Sequence, residues 1–125
     1  MKWEFSDDIP IYLQIMNQIK AQIATGVLKP GDKITSVREL AMEAGVNPNT
    51  MQKALSELER EGVLYSKRTS GRFVAESEDS TEGLQEQMAH AQMENYLTAM
   101  QQLGYDGQKA IEELQKYYSS NNTKP

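Results

Sequence analysis

Apolar side chains in the first 60 residues recur at helical intervals. Tyr12, Ile15, Ile19 and Ile23, with Met16 beside them, fit a helix buried on one face. Pro10 suits the first turn, where its missing N–H costs nothing, and Gly26 stops the run, which predicts a helix over about residues 10–25. Lys29-Pro30-Gly31-Asp32 reads as a turn. A second, narrower stripe, Val37, Leu40, Ala41 and Ala44, opens on Ser36 with Glu39 three residues later, the spacing of a capping box. Gly45 follows, where a left-handed helix end favours glycine. A third stripe, Met51, Ala54, Leu55 and Leu58, starts from Asn47 as cap with Pro48 in the first helical position, and Gly62 ends it. A short helix, a turn containing glycine and a longer helix form the order of a helix-turn-helix.

Beyond Gly62 the period changes. Val63-Leu64-Tyr65 and Phe73-Val74 are short β-prone runs around a bend at Ser70-Gly71, and they predict a hairpin that serves as a wing. Residues 76–83 are polar and acidic and read as a linker or helix start. Two further helical patterns follow. One, over about Thr81 to Leu103, carries Leu84, Met88, Ala91, Met93, Tyr96, Leu97, Met100 and Leu103 on more than one face, which a lone helix would leave in water. The other starts from Asp106 as cap and carries Ala110, Ile111, Leu114, Tyr117 and Tyr118, while Ser119 to Pro125 read as a frayed end. The predicted fold is mainly α with a small β-hairpin. A winged helix-turn-helix domain over residues 1–75 precedes a two-helix tail over 76–125.

Charge bears on what such a domain binds. The chain has 125 residues and a net charge of −5, which at first argues against nucleic acid. The imbalance is uneven. Residues 1–75 hold ten basic and nine acidic side chains, net +1; residues 76–125 hold three and nine, net −6. From Gly62 to Ala75 there are Lys67, Arg68 and Arg72 and no acid. A local basic patch docks on phosphates whatever the whole-chain charge, so the acidic half is expected to face away from DNA.

Composition removes other classes. Without cysteine there are no disulfides or thiolate metal sites, and the chain suits a reducing compartment. No run approaches the ~18 apolar residues that span a bilayer. The opening residues, Met1 to Asp8, do not resemble a signal peptide, and a cytoplasmic protein without membrane association is expected. The single histidine, His90, lacks partners for a metal site, no phosphate loop or nucleophile–base pair is visible, and neither an enzyme nor a cofactor is predicted.

With Met51, Ala54, Leu55 and Leu58 turned inward, the second helix of the motif presents Pro48, Asn49, Gln52, Lys53, Ser56 and Glu57 outward. Asn49 and Gln52 are amides that pair bidentately with adenine, Lys53 addresses guanine or phosphate, and Thr50 suits a phosphate or a thymine methyl. Asn47 opens the helix, whose free N–H groups favour phosphate. Arg38, one helix earlier, is placed to grip the backbone, and Lys67, Arg68, Ser70, Gly71 and Arg72 make the wing's DNA-facing set. In the tail, Leu84, Met88, Ala91, Tyr96, Leu97, Met100, Leu103, Ile111, Leu114 and Tyr118 are expected to be buried against the same tail of a second chain. Two recognition helices on a two-fold axis then favour a roughly palindromic double-stranded operator. The acidic balance keeps a second reading open, a winged helix that binds protein rather than DNA.

Residues 10–75 also resemble the DNA-binding domain of the GntR family of bacterial transcription regulators. The resemblance is carried by Pro10-Ile11-Tyr12, Leu28 to Lys33, Ser36 to Ala41, Gly45-Val46, Asn49-Thr50, Ala54-Leu55, Leu58 to Gly62 and Gly71 to Val74. Asn47-Pro48-Asn49-Thr50 and the short tail are similar to the YtrA subfamily. The resemblance implies a dimeric repressor controlling an ABC transporter operon, with room for a small-molecule effector that the sequence does not identify. It supports Arg38 and the segment Pro48 to Lys53 as DNA contacts. Two departures stand out. Many family members carry Arg where Pro48 and Gln52 stand, and the common wing Gly-x-Gly-Thr-Phe is here Thr69-Ser70-Gly71-Arg72-Phe73, with Arg72 expected to add a phosphate contact.

Overall fold

The computed structural model describes residues 2–76 and 78–121. It divides into two compact units, Met1–Gln85 and Glu86–Pro125.

In the first unit, α1 (Ile11–Ala24), α2 (Val37–Ala44) and α3 (Pro48–Arg60) form where the apolar stripes predict them. Pro10 precedes α1 rather than joining it, and its carbonyl accepts the first helical N–H bonds, from Leu13 and Gln14. The capping box opens α2: the Ser36 hydroxyl accepts from the Glu39 N–H at 3.2 Å. Gly45 closes it at φ +71°, a left-handed conformation that costs a residue with a Cβ about 1–2 kcal/mol. Asn47 then caps α3 through Asn49 N–H at 2.7 Å, with Pro48 in the first turn.

Both α1 and α2 pack on α3, whose Met51, Ala54, Leu55 and Leu58 are fully buried. Ile15, Met16, Ile19 and Ile23 of α1 meet them, with Leu40 and Ala41 of α2. Burial of each Leu, Ile or Met side chain here contributes about 1.5–3 kcal/mol.

The wing is a sheet rather than a lone hairpin. β1 (Lys33–Ile34), β2 (Leu64–Lys67) and β3 (Gly71–Val74) are antiparallel in the order β1-β3-β2. β3 is central, with Phe73 opposite both Lys33 and Tyr65, and Arg72 opposite both Ile34 and Ser66. The turn read at Lys29 to Asp32 exists, and Asp32 leads directly into β1, fastened by Val74 N–H to Asp32 O at 2.8 Å. Ile34, Leu64 and Val74 turn into the core and bind the sheet to the helices.

A long helix, α4 (Glu78–Gln102), starts earlier than the expected Thr81, and α5 (Gly107–Asn121) follows. The Asp106 side chain caps α5 through Lys109 N–H at 2.8 Å. In the second unit α4 and α5 are joined by the Tyr96 hydroxyl, which donates to the Ala110 carbonyl at 2.7 Å, and Ala110 is buried. The frayed end expected from Ser119 is helical as far as Asn121; residues 122–125, like residue 77 of the expected linker, lie outside the described residues. No helix among the described residues is long and apolar enough to cross a membrane.

Candidate nucleic-acid interface

The first turn of α3 carries Pro48 and Asn49 fully outward, with Thr50 half-buried behind them. Of the sequence-predicted readers, Asn49 carries an amide side chain with no partner among the described residues. Asn47, Gln52 and Lys53 are already engaged. Asn47 uses its side-chain oxygen as the cap. Gln52 donates to the Ser56 hydroxyl at 2.9 Å, one turn along α3. The Lys53 ammonium lies 4.0 Å above the centre of the Tyr12 ring on α1, a cation–π contact that draws it toward α1.

The wing shows the same division. The Lys67 ammonium rests 4.8 Å from the Phe73 ring and 5.9 Å from that of Tyr65, two rings stacked at 5.8 Å. Tyr65 donates its hydroxyl to Glu76 at 2.7 Å, and this bond holds the phenol pKa above its ordinary value. Arg68 is exposed and has no partner among the described residues. Ser70 N–H closes the turn onto Lys67 O at 3.2 Å, and Gly71 at φ +100° re-enters the sheet in a conformation that favours glycine. Arg72 does not point free. Its side chain is 20% exposed and pairs through Nε with Glu59 of α3, which also accepts from the Ser66 hydroxyl at 2.6 Å.

The wing and the start of α2 line one groove of about 820 Å³. Its lining includes Lys33, Thr35, Ser36, Lys67, Arg68 and Arg72, and Glu39 is the one acid in it. The readers of α3 are not among its lining, and Arg38, exposed and unpaired among the described residues, lies between Val37 and Glu39, which are. Lys33 and Thr35 were not among the residues singled out in the sequence. Their signal was the β1 pairing, which brings Lys33 against the wing, so that a Cβ on Gly71 would stand 3.4 Å from Lys33 Cε.

The Ser66 hydroxyl does most to hold the Glu59 carboxyl below the usual carboxylate range; partial burial opposes it and Arg72 adds to it. A depressed pKa means that the folded state prefers the ionised form. Its contribution is therefore present above the ordinary carboxylate pKa of about 4.3 and is lost as pH falls through the lower folded value. An NMR titration of the Glu59 carboxyl carbon is expected to give a midpoint below that reference, with the wing link unchanged from pH 8 to 5. A midpoint at or above it would contradict this environment.

The predicted tail residues divide between the two units. Leu84 falls in the first and is already buried in the single chain. In the second, Met88 is half-buried and Ala91 exposed, and Leu97, Leu103, Ile111, Leu114 and Tyr118 stand 41–72% exposed, as do Met93 and Tyr117 outside the predicted set. Tyr96, Met100 and Leu114 also line a groove of about 430 Å³ with Tyr105, Glu113 and Tyr117. His90 is exposed, and among the described residues no cluster of three or more His, Cys, Asp or Glu could hold a metal ion.

Comparison with known proteins agrees with this geometry. The pattern of the gntR family of bacterial regulatory proteins matches residues 11–74. The HTH-type transcriptional repressor YtrA of Bacillus subtilis is 39% identical over 109 residues, covering 87% of this chain and 79% of its own. A solved GntR family transcriptional regulator from Listeria monocytogenes superposes with a TM-score of 0.82 at 39% identity, over 90% of this chain and 98% of that one. The DNA-binding domain of AraR, solved in complex with operator ORX1, superposes at 0.55 and 32% identity, over 60% of this chain and 96% of that one.

Proposed function

This chain belongs to the gntR family of bacterial regulatory proteins, and from that premise we propose that it is a homodimeric, sequence-specific transcriptional repressor of a roughly palindromic operator. The observation that carries the reading is the capped start of α3, where Asn49 stands outward with an uncommitted amide. Residues 1–75 bind double-stranded DNA and 76–125 dimerise. Asn49 reads a base edge, and Thr50 takes a phosphate or a thymine methyl. Gln52 reads adenine after releasing Ser56, and Lys53 leaves Tyr12 only for a phosphate or guanine close by. Arg38, Lys33 and Arg68 grip phosphates beside the groove. The AraR domain's complex with its operator and the repressor name of YtrA support this assignment.

The regulated genes are those of an ABC transporter operon, as the resemblance of Asn47-Pro48-Asn49-Thr50 and the short tail to the YtrA subfamily implies, and repression takes place in the cytoplasm. A small-molecule effector acts, if it binds one DNA-affinity state better than the other, by shifting the balance between them.

Selection of bound duplexes from a random pool tests the reading, because half-site sequence and spacing report reader and dimer together. On the selected duplex, Arg38→Ala is expected to weaken binding to every sequence and to lower the salt slope by about 0.9. Asn49→Ala instead relaxes preference at one base position, at a cost of about 1–3 kcal/mol. Unchanged operator affinity for both variants would exclude this face as the DNA-binding surface.

A further inference from the structure

Arg72 is the wing cation whose placement differs most from a phosphate contact. It occupies the central strand β3, directly opposite Ser66 on β2. Residues paired across a ladder present their side chains to the same face of the sheet. Here both reach one oxygen, Oε1 of Glu59: Ser66 through its hydroxyl and Arg72 through Nε. Glu59 lies in the last turn of α3, the helix whose first turn carries Asn49. Two donors from two strands thus converge on one carboxylate of the reading helix.

A guanidinium that left for a phosphate would leave Glu59, an acid, with the Ser66 hydroxyl as its remaining donor. Remaining with Glu59, it neutralises that charge and ties the wing to the helix. Resting on the DNA-binding reading above, we infer that Arg72 is a positioning residue, which with Ser66 fastens the wing to α3 through Glu59 and leaves phosphate contact to other cations.

The two roles of Arg72 predict opposite signs for one substitution. If Arg72 contacted phosphate, Glu59→Gln would free it and remove an acid, and DNA would bind more tightly. As a strut, Arg72 loses the charge of its anchor in Glu59→Gln and keeps at most a neutral hydrogen bond, and binding weakens. The amide of Glu59→Gln can still accept from Ser66, which favours a folded variant.

The experiment measures affinity of the full chain for its selected duplex across a salt series, at a temperature where circular dichroism shows every variant folded. Glu59→Gln and Arg72→Gln are each expected to weaken binding about tenfold, and the double variant by about the same tenfold, because all three remove one ion pair. The salt slope stays within about 0.3 of wild type, whereas a lost phosphate contact lowers it by about 0.9. Amide hydrogen exchange of the DNA-free protein is the second readout. Exchange at Ser70 and Gly71 is expected to accelerate in Glu59→Gln, with the amides of α1 unchanged. Tighter binding by Glu59→Gln, a slope loss near 0.9 in Arg72→Gln, or unaltered wing exchange would each overturn the strut. If the wild type binds no duplex at all, the DNA-binding reading fails, and the exchange measurement still decides the strut.

Discussion

Leu55→Ala is expected to destabilise the first unit by about 2–5 kcal/mol, read as a lower midpoint in urea with little change in slope. Leu55 has no exposed surface and lies on the buried face of α3 with Met51, Ala54 and Leu58. Truncation removes its transfer energy and leaves a cavity that α1 and α2, both packed on the same helix, can only partly close. The loss is a large share of the total, because a domain of this size holds only about 5–15 kcal/mol. DNA binding should fall with the folded fraction and recover at lower temperature. A change below about 0.5 kcal/mol would mean that the face assigned to the core is not packed as described.

The second large effect concerns the second unit. Leu97 and Leu114 are 41% and 48% exposed in the single chain, on α4 and α5 respectively. If these faces meet their copies in a dimer, a carboxylate at each position is desolvated on association and opposes it. Leu97→Asp with Leu114→Asp is expected to sediment as a monomer. Its affinity for a duplex with two half-sites should fall by about 10²–10⁴, since the second contact is no longer intramolecular, while a single half-site binds as before. A double variant that remains dimeric removes the tail from the interface.

How far the sequence could be read depended on whether structure was local. The helices of the first unit followed from stripes and caps within a few residues of one another: Ser36 with Glu39, Asn47 with Asn49. β1 did not. Two residues, Lys33 and Ile34, have no period of their own and become a strand only by pairing with β3, some forty positions later. Arg72 was visible as a cation, but not its partner, because Glu59 lies thirteen residues earlier on another element. Leu84 was assigned with its neighbours on α4 because apolar positions there occur on several faces, and spacing alone does not say which of them turns into the first unit. The engagement of Gln52 and Lys53 was likewise hidden: the first depends on a rotamer, the second on α1 crossing α3.

The seats of Lys53 on Tyr12 and of Lys67 on Phe73 and Tyr65 bear on the entropy of association. A lysine that is free in solution loses about 0.5–1.5 kcal/mol of rotamer freedom when a complex immobilises it. Lysines lying on aromatic rings have given up part of that freedom beforehand, so the entropic cost of complex formation is smaller than their number implies. Calorimetry comparing wild type with Tyr12→Ala should show that difference as a less unfavourable entropy in the protein that keeps its ring. The aromatic residues would then act on affinity without touching the ligand, by narrowing what the cations do while they wait for it.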